Sequence, residues 1–203
     1  MMKPDFLIAV LTLPGSFPGE ADYLRGLLEA GVERLHLRKP EMGLRELEGL
    51  VAQLAPRWAS RLVLHYQPEL AERFGVPQIH GPVKMGAGTG LRVSTSVHDW
   101  EEFKQLPPRL EYAFISPLFD RISKQGYLAN AELLSIPEGV LPCRPVGLGG
   151  VGAGTIGELV RRGWTGAAVL GWIWEEPEKA VQRFEQLKKM VHESAEGARG
   201  GGL

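Results

Sequence analysis

Apolar β-type runs and helix-patterned segments alternate eight times along this 203-residue chain, and that rhythm fixes most of what it can become. Adjacent parallel strands must be joined by a crossover, so strict alternation of the two patterns builds a parallel sheet. The strand-like runs fall at 6–13, 34–37, 61–65, 77–80, 91–94, 112–116, 145–148 and 167–170. Helical spacing follows at 20–30, where Tyr23, Leu24, Leu27 and Leu28 recur before Gly31, and again at 44–54, 68–74, 99–105, 129–134, 154–162 and 177–192. After the fourth run come Gly81-Pro82 and a stretch rich in glycine (Gly86, Gly88, Gly90) with little helical pattern, so the fourth helix is degenerate. Doubly wound sheets usually have fewer strands. Eight units therefore predict an α/β fold, a single-domain (β/α)8 TIM barrel over residues 1–194. A chain of 203 residues allows that barrel short loops and no second domain. The tail at 195–203, with glycine at 197, 200, 201 and 202, is expected to be disordered.

Charge narrows the class of partner. A formal net charge of -1 gives no electrostatic reason to expect nucleic acid or an anionic membrane, which leaves a small-molecule ligand. No apolar run approaches the roughly 20 residues of a transmembrane helix. The start, Met1-Met2-Lys3-Pro4-Asp5, lacks the pattern of a signal peptide, and the lone Cys143 cannot form an internal disulfide. The expectation is a cytoplasmic protein with Cys143 as packing.

In such a barrel, chemistry belongs at the carboxyl ends of the strands, and phosphate groups favour the exits of the seventh and eighth. Those exits read Gly147-Leu148-Gly149-Gly150 and Leu170-Gly171-Trp172, where glycine lets backbone N–H groups approach an anion. Four of the five histidines, His36, His65, His80 and His98, stand within or just past strands two to five, whereas His192 lies on the last helix and is expected to be solvated. Side chains alternate along a strand. If Leu35 and Leu37 face the helices, His36 and Arg38 face the barrel mouth. An inward arginine needs an anion, supplied either by an internal salt bridge or by a ligand. The loop from Ser116 to Tyr127 mixes charge, hydroxyl and aromatic groups and is long enough to form a flap over the mouth.

On these residues the chain resembles the thiamine phosphate synthase and thiazole tautomerase (TenI-like) family of TIM barrels. Leu35-His36-Leu37-Arg38-Lys39 stands where the family has a Gln-Leu-Arg-Glu-Lys-like stretch, and Ser94-Thr95-Ser96-Val97-His98 resembles its Ser-x-His turn. Ser116-Pro117-Leu118-Phe119 through Ser123-Lys124 resembles its Gly-Pro-Ile-Phe-Pro-Thr-x-Thr-Lys loop, and Gly149-Gly150 and Leu170-Gly171 take the place of its two phosphate-binding turns. The resemblance implies a thiazole phosphate (carboxylate) ligand held by Ser96, Gly149, Gly150 and Gly171. Arg38, Lys39, Ser123 and Lys124 would complete the substrate contacts, with His98 as the general acid and base of an aromatising tautomerisation. His36, His65 and His80 are left as pocket residues without an assigned role. Family members are often oligomeric, so a homo-oligomer is a further expectation, with Trp100, Trp164, Trp172 and Trp174 serving either an interface or the core.

Departures from the family pattern bear on the reaction. For a synthase, which joins a pyrimidine diphosphate to the thiazole and releases pyrophosphate, the resemblance implies Mg2+ on an Asn-Asp pair after strand three and an Asp after strand four. Those places read Leu64-His65-Tyr66 and Ile79-His80-Gly81-Pro82, without a carboxylate. Magnesium prefers oxygen ligands. The tautomerase is therefore expected, with no metal or other cofactor; the alternatives are the synthase with Mg2+ and a barrel that binds the phosphate ligand without turnover. A metal hydrolase built on the histidines ranks last, because such sites usually add carboxylates.

Overall fold

The structure, a computed structural model, describes residues 6–119 and 130–200. Eight parallel strands close on themselves in sequence order: β1 (Leu7–Leu11), β2 (Arg34–Leu37), β3 (Leu62–His65), β4 (Gln78–His80), β5 (Arg92–Val97), β6 (Tyr112–Ile115), β7 (Arg144–Leu148) and β8 (Gly166–Val169). Leu7 to Val10 of β1 pair with Gly166 to Val169 of β8, so the sheet has no edge. Between and after the strands lie α1 (Glu20–Glu29), α2 (Leu44–Trp58), α3 (Pro68–Arg73), α4 (Trp100–Lys104), α5 (Ala131–Leu134), α6 (Ile156–Arg161), α7 (Gly171–Trp174) and α8 (Ala180–Gly200). The fold is the expected single-domain barrel, and the fourth connection is a short 3-10 turn, Val83–Gly86, as its glycines require.

Two differences follow from local sequence. Periodicity placed the last helix at 177–192, but it runs to Gly200 and so continues into the stretch expected to lack order. A one-turn helix, α7, precedes it, too short to leave a periodic signature.

Packing is split between two apolar bodies. The larger lies between barrel and helices and takes Leu35, Leu37, Leu62, Leu64 and Ile79 from the strands with Leu24, Leu27, Leu28, Leu47, Val51 and Leu54 from α1 and α2. The smaller fills the lumen with Leu7, Ala9, Leu11, Tyr112, Phe114, Val146 and Ala168. Strand alternation produces the division: on β1 and β6 to β8 the inward positions are apolar or aromatic. On β2 to β5 they include His36, His65, Gln78, His80, Ser94 and Ser96 beside the apolar Val63, so one half of the lumen is mainly polar.

Tryptophans close the outer layer. Trp100 donates to Leu133 O at 3.1 Å, Trp164 to Leu134 O at 3.2 Å and Trp174 to Leu11 O at 2.7 Å. All three are buried in this way, each indole N–H paired as burial demands, and belong to the core rather than to an exposed interface.

Candidate functional site: a cavity at the barrel mouth above a histidine cluster

A cavity of about 690 Å³ opens at the carboxyl ends of β7 and β8, lined by Leu11, Arg38, Leu148, Gly149, Gly150, Val151, Ala168, Leu170, Gly171, Trp172 and Glu175. Its position repeats the expectation drawn from the two glycine turns. Gly149 and Gly150 hold φ of 98° and 62°, values that side chains other than glycine rarely adopt. A Cβ on Gly150 would meet Phe119 Cβ at 2.6 Å and Phe119 O at 2.8 Å. The glycines thus let the segment after β6 lie directly on the turn, where Leu118 N donates to Leu148 O at 2.9 Å and Phe119 N to Gly149 O at 3.2 Å. Thr155 pins the far side, its hydroxyl donating to Gly150 O at 3.0 Å and accepting from Gly152 N at 3.0 Å.

Arg38 is the cation of this cavity. It is exposed and makes no ion pair among the described residues, so the internal salt bridge that would have satisfied it is missing. The cavity's carboxylate, Glu175, is paired with Arg183 at 2.7 Å, and the Arg183 guanidinium lies 4.6 Å from the centre of the Trp172 ring. Lys39 behaves differently from its neighbour. Alternation turns it away from the mouth, and its buried ammonium donates to Gly15 O at 2.7 Å and pairs with Glu20. Lys39 is therefore held in a structural ion pair and does not line the cavity where it was expected to contact a ligand. Ser123 and Lys124 lie outside the described residues.

Below the mouth, strands β2 to β4 bring three imidazoles together. His36, His65 and His80 are all buried, and one nitrogen from each lies within 4.8 Å of the others. His36 Nδ1 is 3.0 Å from His65 Nε2, and His36 Nε2 is 2.7 Å from the Tyr112 hydroxyl. His80 reaches Ser94 Oγ through Nδ1 and Ser96 Oγ through Nε2, both at 3.0 Å. Ser96, expected on the phosphate, is thus engaged with His80 and does not line the cavity.

All three rings are held neutral. Burial lowers His36 far below the usual histidine range, reinforced by repulsion from His65, His80 and Arg34. Burial does the same to His65, with His80 and Arg38 adding to it. His80 is pushed down to about 4 by burial and by the Arg38 charge. Burial also raises the Tyr112 phenol, so it stays protonated. Arg38 therefore acts on both the cavity and the cluster, which makes the two neighbouring parts of one lumen.

His98 stands at the rim, just past the end of β5, and is exposed. Its backbone is fixed by a reciprocal cap on α4: Asp99 Oδ1 accepts from Glu102 N at 2.7 Å and Glu102 Oε2 accepts from His98 N at 2.9 Å. The ring Nδ1–H donates to Ser116 O at 3.0 Å, which places the proton on Nδ1 and leaves Nε2 as the basic nitrogen. His98 is not among the residues lining the cavity. His192, as expected, is exposed on α8, 3.3 Å from Glu196. Cys143 is half-buried, and burial pushes its thiol up to about 11, which suits packing rather than a nucleophile. Sequence reading missed Tyr112 and Glu175; for Tyr112 the signal was an aromatic at an inward position of β6 opposite the histidines.

This fold with this cavity defines a class, the (β/α)8 barrels with a pocket at the exits of strands seven and eight. Within that class the chain is similar in structure to two thiamine phosphate pyrophosphorylases. Thiamine phosphate pyrophosphorylase from Bacteroides thetaiotaomicron superposes with a TM-score of 0.75 at 27% identity, covering 92% of this chain and 98% of that one. The enzyme of the same name from Pyrococcus furiosus gives 0.76 at 20% identity, covering 93% and 96%. A wider circle shares the fold, such as 3-hexulose-6-phosphate synthase from Salmonella typhimurium, with a TM-score of 0.62 at 12% identity over 92% and 99% of the two chains. No family model and no curated protein matches the sequence. Among the described residues no helix is long and apolar enough to cross a membrane.

Proposed function

We propose that this barrel binds a thiazole phosphate carboxylate in the mouth cavity and catalyses its aromatising tautomerisation. The observation that carries the reading is Arg38, a cation that has no ion pair among the described residues and lines the cavity together with the glycine turns of β7 and β8. Backbone N–H groups at Gly149, Gly150 and Gly171 would hold the phosphate, and Arg38 would pair with an anionic group of the ligand. His98 would take a proton from one position of the ring system through Nε2 and return it to another. The bond to Ser116 O holds the tautomer needed for that exchange. The step is an isomerisation, so no atom is gained or lost. Lys124, which follows β6 in the sequence, remains part of the proposal as a partner for the carboxylate.

The names of the neighbours favour a second reading, the synthase. The Mg2+ that reaction implies calls for oxygen donors, and the positions expected to supply them hold His65, Tyr66 and His80. The described cavity offers Glu175, which is already tied to Arg183. This donor set does not fit magnesium.

The test is His98→Asn assayed with the exocyclic tautomer and, separately, with hydroxymethylpyrimidine diphosphate, thiazole phosphate and Mg2+. Loss of aromatisation with retained binding of the aromatic phosphate supports the tautomerase. Undiminished turnover removes His98 from the mechanism, and pyrophosphate release by the unmodified protein decides for the synthase. Saturable binding with no turnover of either kind would mark a binding barrel.

A further inference from the structure

We infer that His36, His65 and His80 form a three-imidazole site for a divalent transition metal of the zinc class inside the barrel, adjoining the mouth cavity. The inference does not depend on which reaction the cavity serves. Barrel lumens are normally filled by layers of branched apolar side chains, and three consecutive strands here place imidazoles in that space instead. Burying polar rings costs stability unless their nitrogens are satisfied; His36 and His80 have partners at both nitrogens and His65 at Nε2, so the cluster is a polar, hydrogen-bonded site within an otherwise packed barrel.

Geometry and protonation both fit a metal. A tetrahedral ion about 2.05 Å from each nitrogen sets them about 3.3 Å apart. His36 Nδ1 and His65 Nε2 are already 3.0 Å apart, and the candidate ligand atoms all lie within 4.8 Å, so closing on an ion requires small side-chain rotations. Metal binding requires neutral imidazole, and burial holds all three rings in that form. Two of the opposite ring nitrogens have anchors: His36 Nε2–H can donate to Tyr112 Oη, and His80 can bind the ion through one nitrogen while the other donates to Ser94 or Ser96. Such hydrogen bonds orient metal-bound histidines.

Donor chemistry selects the ion. Three neutral nitrogens suit zinc, cobalt, nickel or copper and are poor ligands for magnesium or calcium. Three protein ligands leave a fourth position, and the residual exposure of the cluster, 8% at His65 and 5% at His80, lies on the residues that feel Arg38. Arg38 disfavours a dication there. An anion in the cavity would offset that repulsion, so metal and anionic ligand should strengthen each other's binding.

The test uses the full chain, stripped with a chelator and titrated with Co2+ while its visible ligand-field absorption is followed. Saturation at one equivalent, with the band displaced by Zn2+, is expected. His65→Leu and His80→Leu, each checked for native helix content, should lose the band, and His192→Ala should keep it. Should the leucine variants fail to fold, histidine ring 15N shifts of the unmodified protein on adding Zn2+ give the same answer, with three buried rings moving together. No band, an equal band in folded lumen variants, or shifts confined to His192 would overturn the site. In that case the cluster is a metal-free hydrogen-bonded chain, with one proton lying between His36 and His65.

Discussion

Acid should unfold this barrel through its histidine cluster before it reaches the ordinary carboxylate range. His80 titrates near 6.5 in the unfolded chain and is pushed down to about 4 in the fold. A lowered folded value means the unfolded state binds the proton first, so the stabilisation is present above about pH 6.5 and is lost as the pH falls towards 4. The full shift corresponds to about 3 kcal/mol at about 1.4 kcal/mol per unit, and most of it is spent by pH 4.5. His36 and His65 are also lowered by burial and add to the loss in the same direction. With a urea dependence on the order of 2–3 kcal/mol per molar, the midpoint should fall by about 1 M between pH 7 and pH 4.5 from His80 alone. Urea unfolding of metal-free protein followed by far-UV circular dichroism at several pH values measures this. In His80→Leu, or His80→Gln as a polar control, the slope of stability against pH should drop by nearly one proton. Equal slopes in the unmodified protein and both variants would refute the neutral buried imidazole.

Other outcomes follow from the same packing. Gly150→Ala combines a left-handed φ of 62° with a Cβ 2.6 Å from Phe119, so it should lower stability by about 2 kcal/mol and weaken binding of a phosphate ligand, read by thermal denaturation and calorimetry. Gln78 is 1% exposed and neither amide atom has a partner among the described residues, so Gln78→Met should raise the unfolding free energy by about 1 kcal/mol; a fall of that size would mean the amide is satisfied in solution.

Alternation of strand and helix patterns carried the fold, because eight apolar runs separated by amphipathic segments leave a parallel barrel as the economical way to bury them. What escaped was whatever lacks a period: the single turn of α7 and the continuation of α8 past His192. The site was legible in parts. Alternation on β2 put His36 and Arg38 inside and the glycine turns marked the cavity, but the same rule, applied one residue further, would have turned Lys39 away to Glu20. Convergence of His36, His65 and His80 depends on strand register and barrel stagger, in which His65 lies beside His80, and no spacing along the chain announces it. Ser96 was read in the turn after strand five but lies within β5, and its hydroxyl is engaged by His80, a partner visible only once the strands are side by side.

The central claim is that the mouth cavity grips a phosphate ester between the glycine turns and Arg38. Calorimetric titration of thiazole phosphate and of the corresponding unphosphorylated alcohol into the full chain and into Arg38→Met tests it most directly. The phosphate should bind at least tenfold tighter than the alcohol, and that preference should shrink in the variant. Equal binding of the two compounds, or a preference untouched by removing Arg38, would contradict the account.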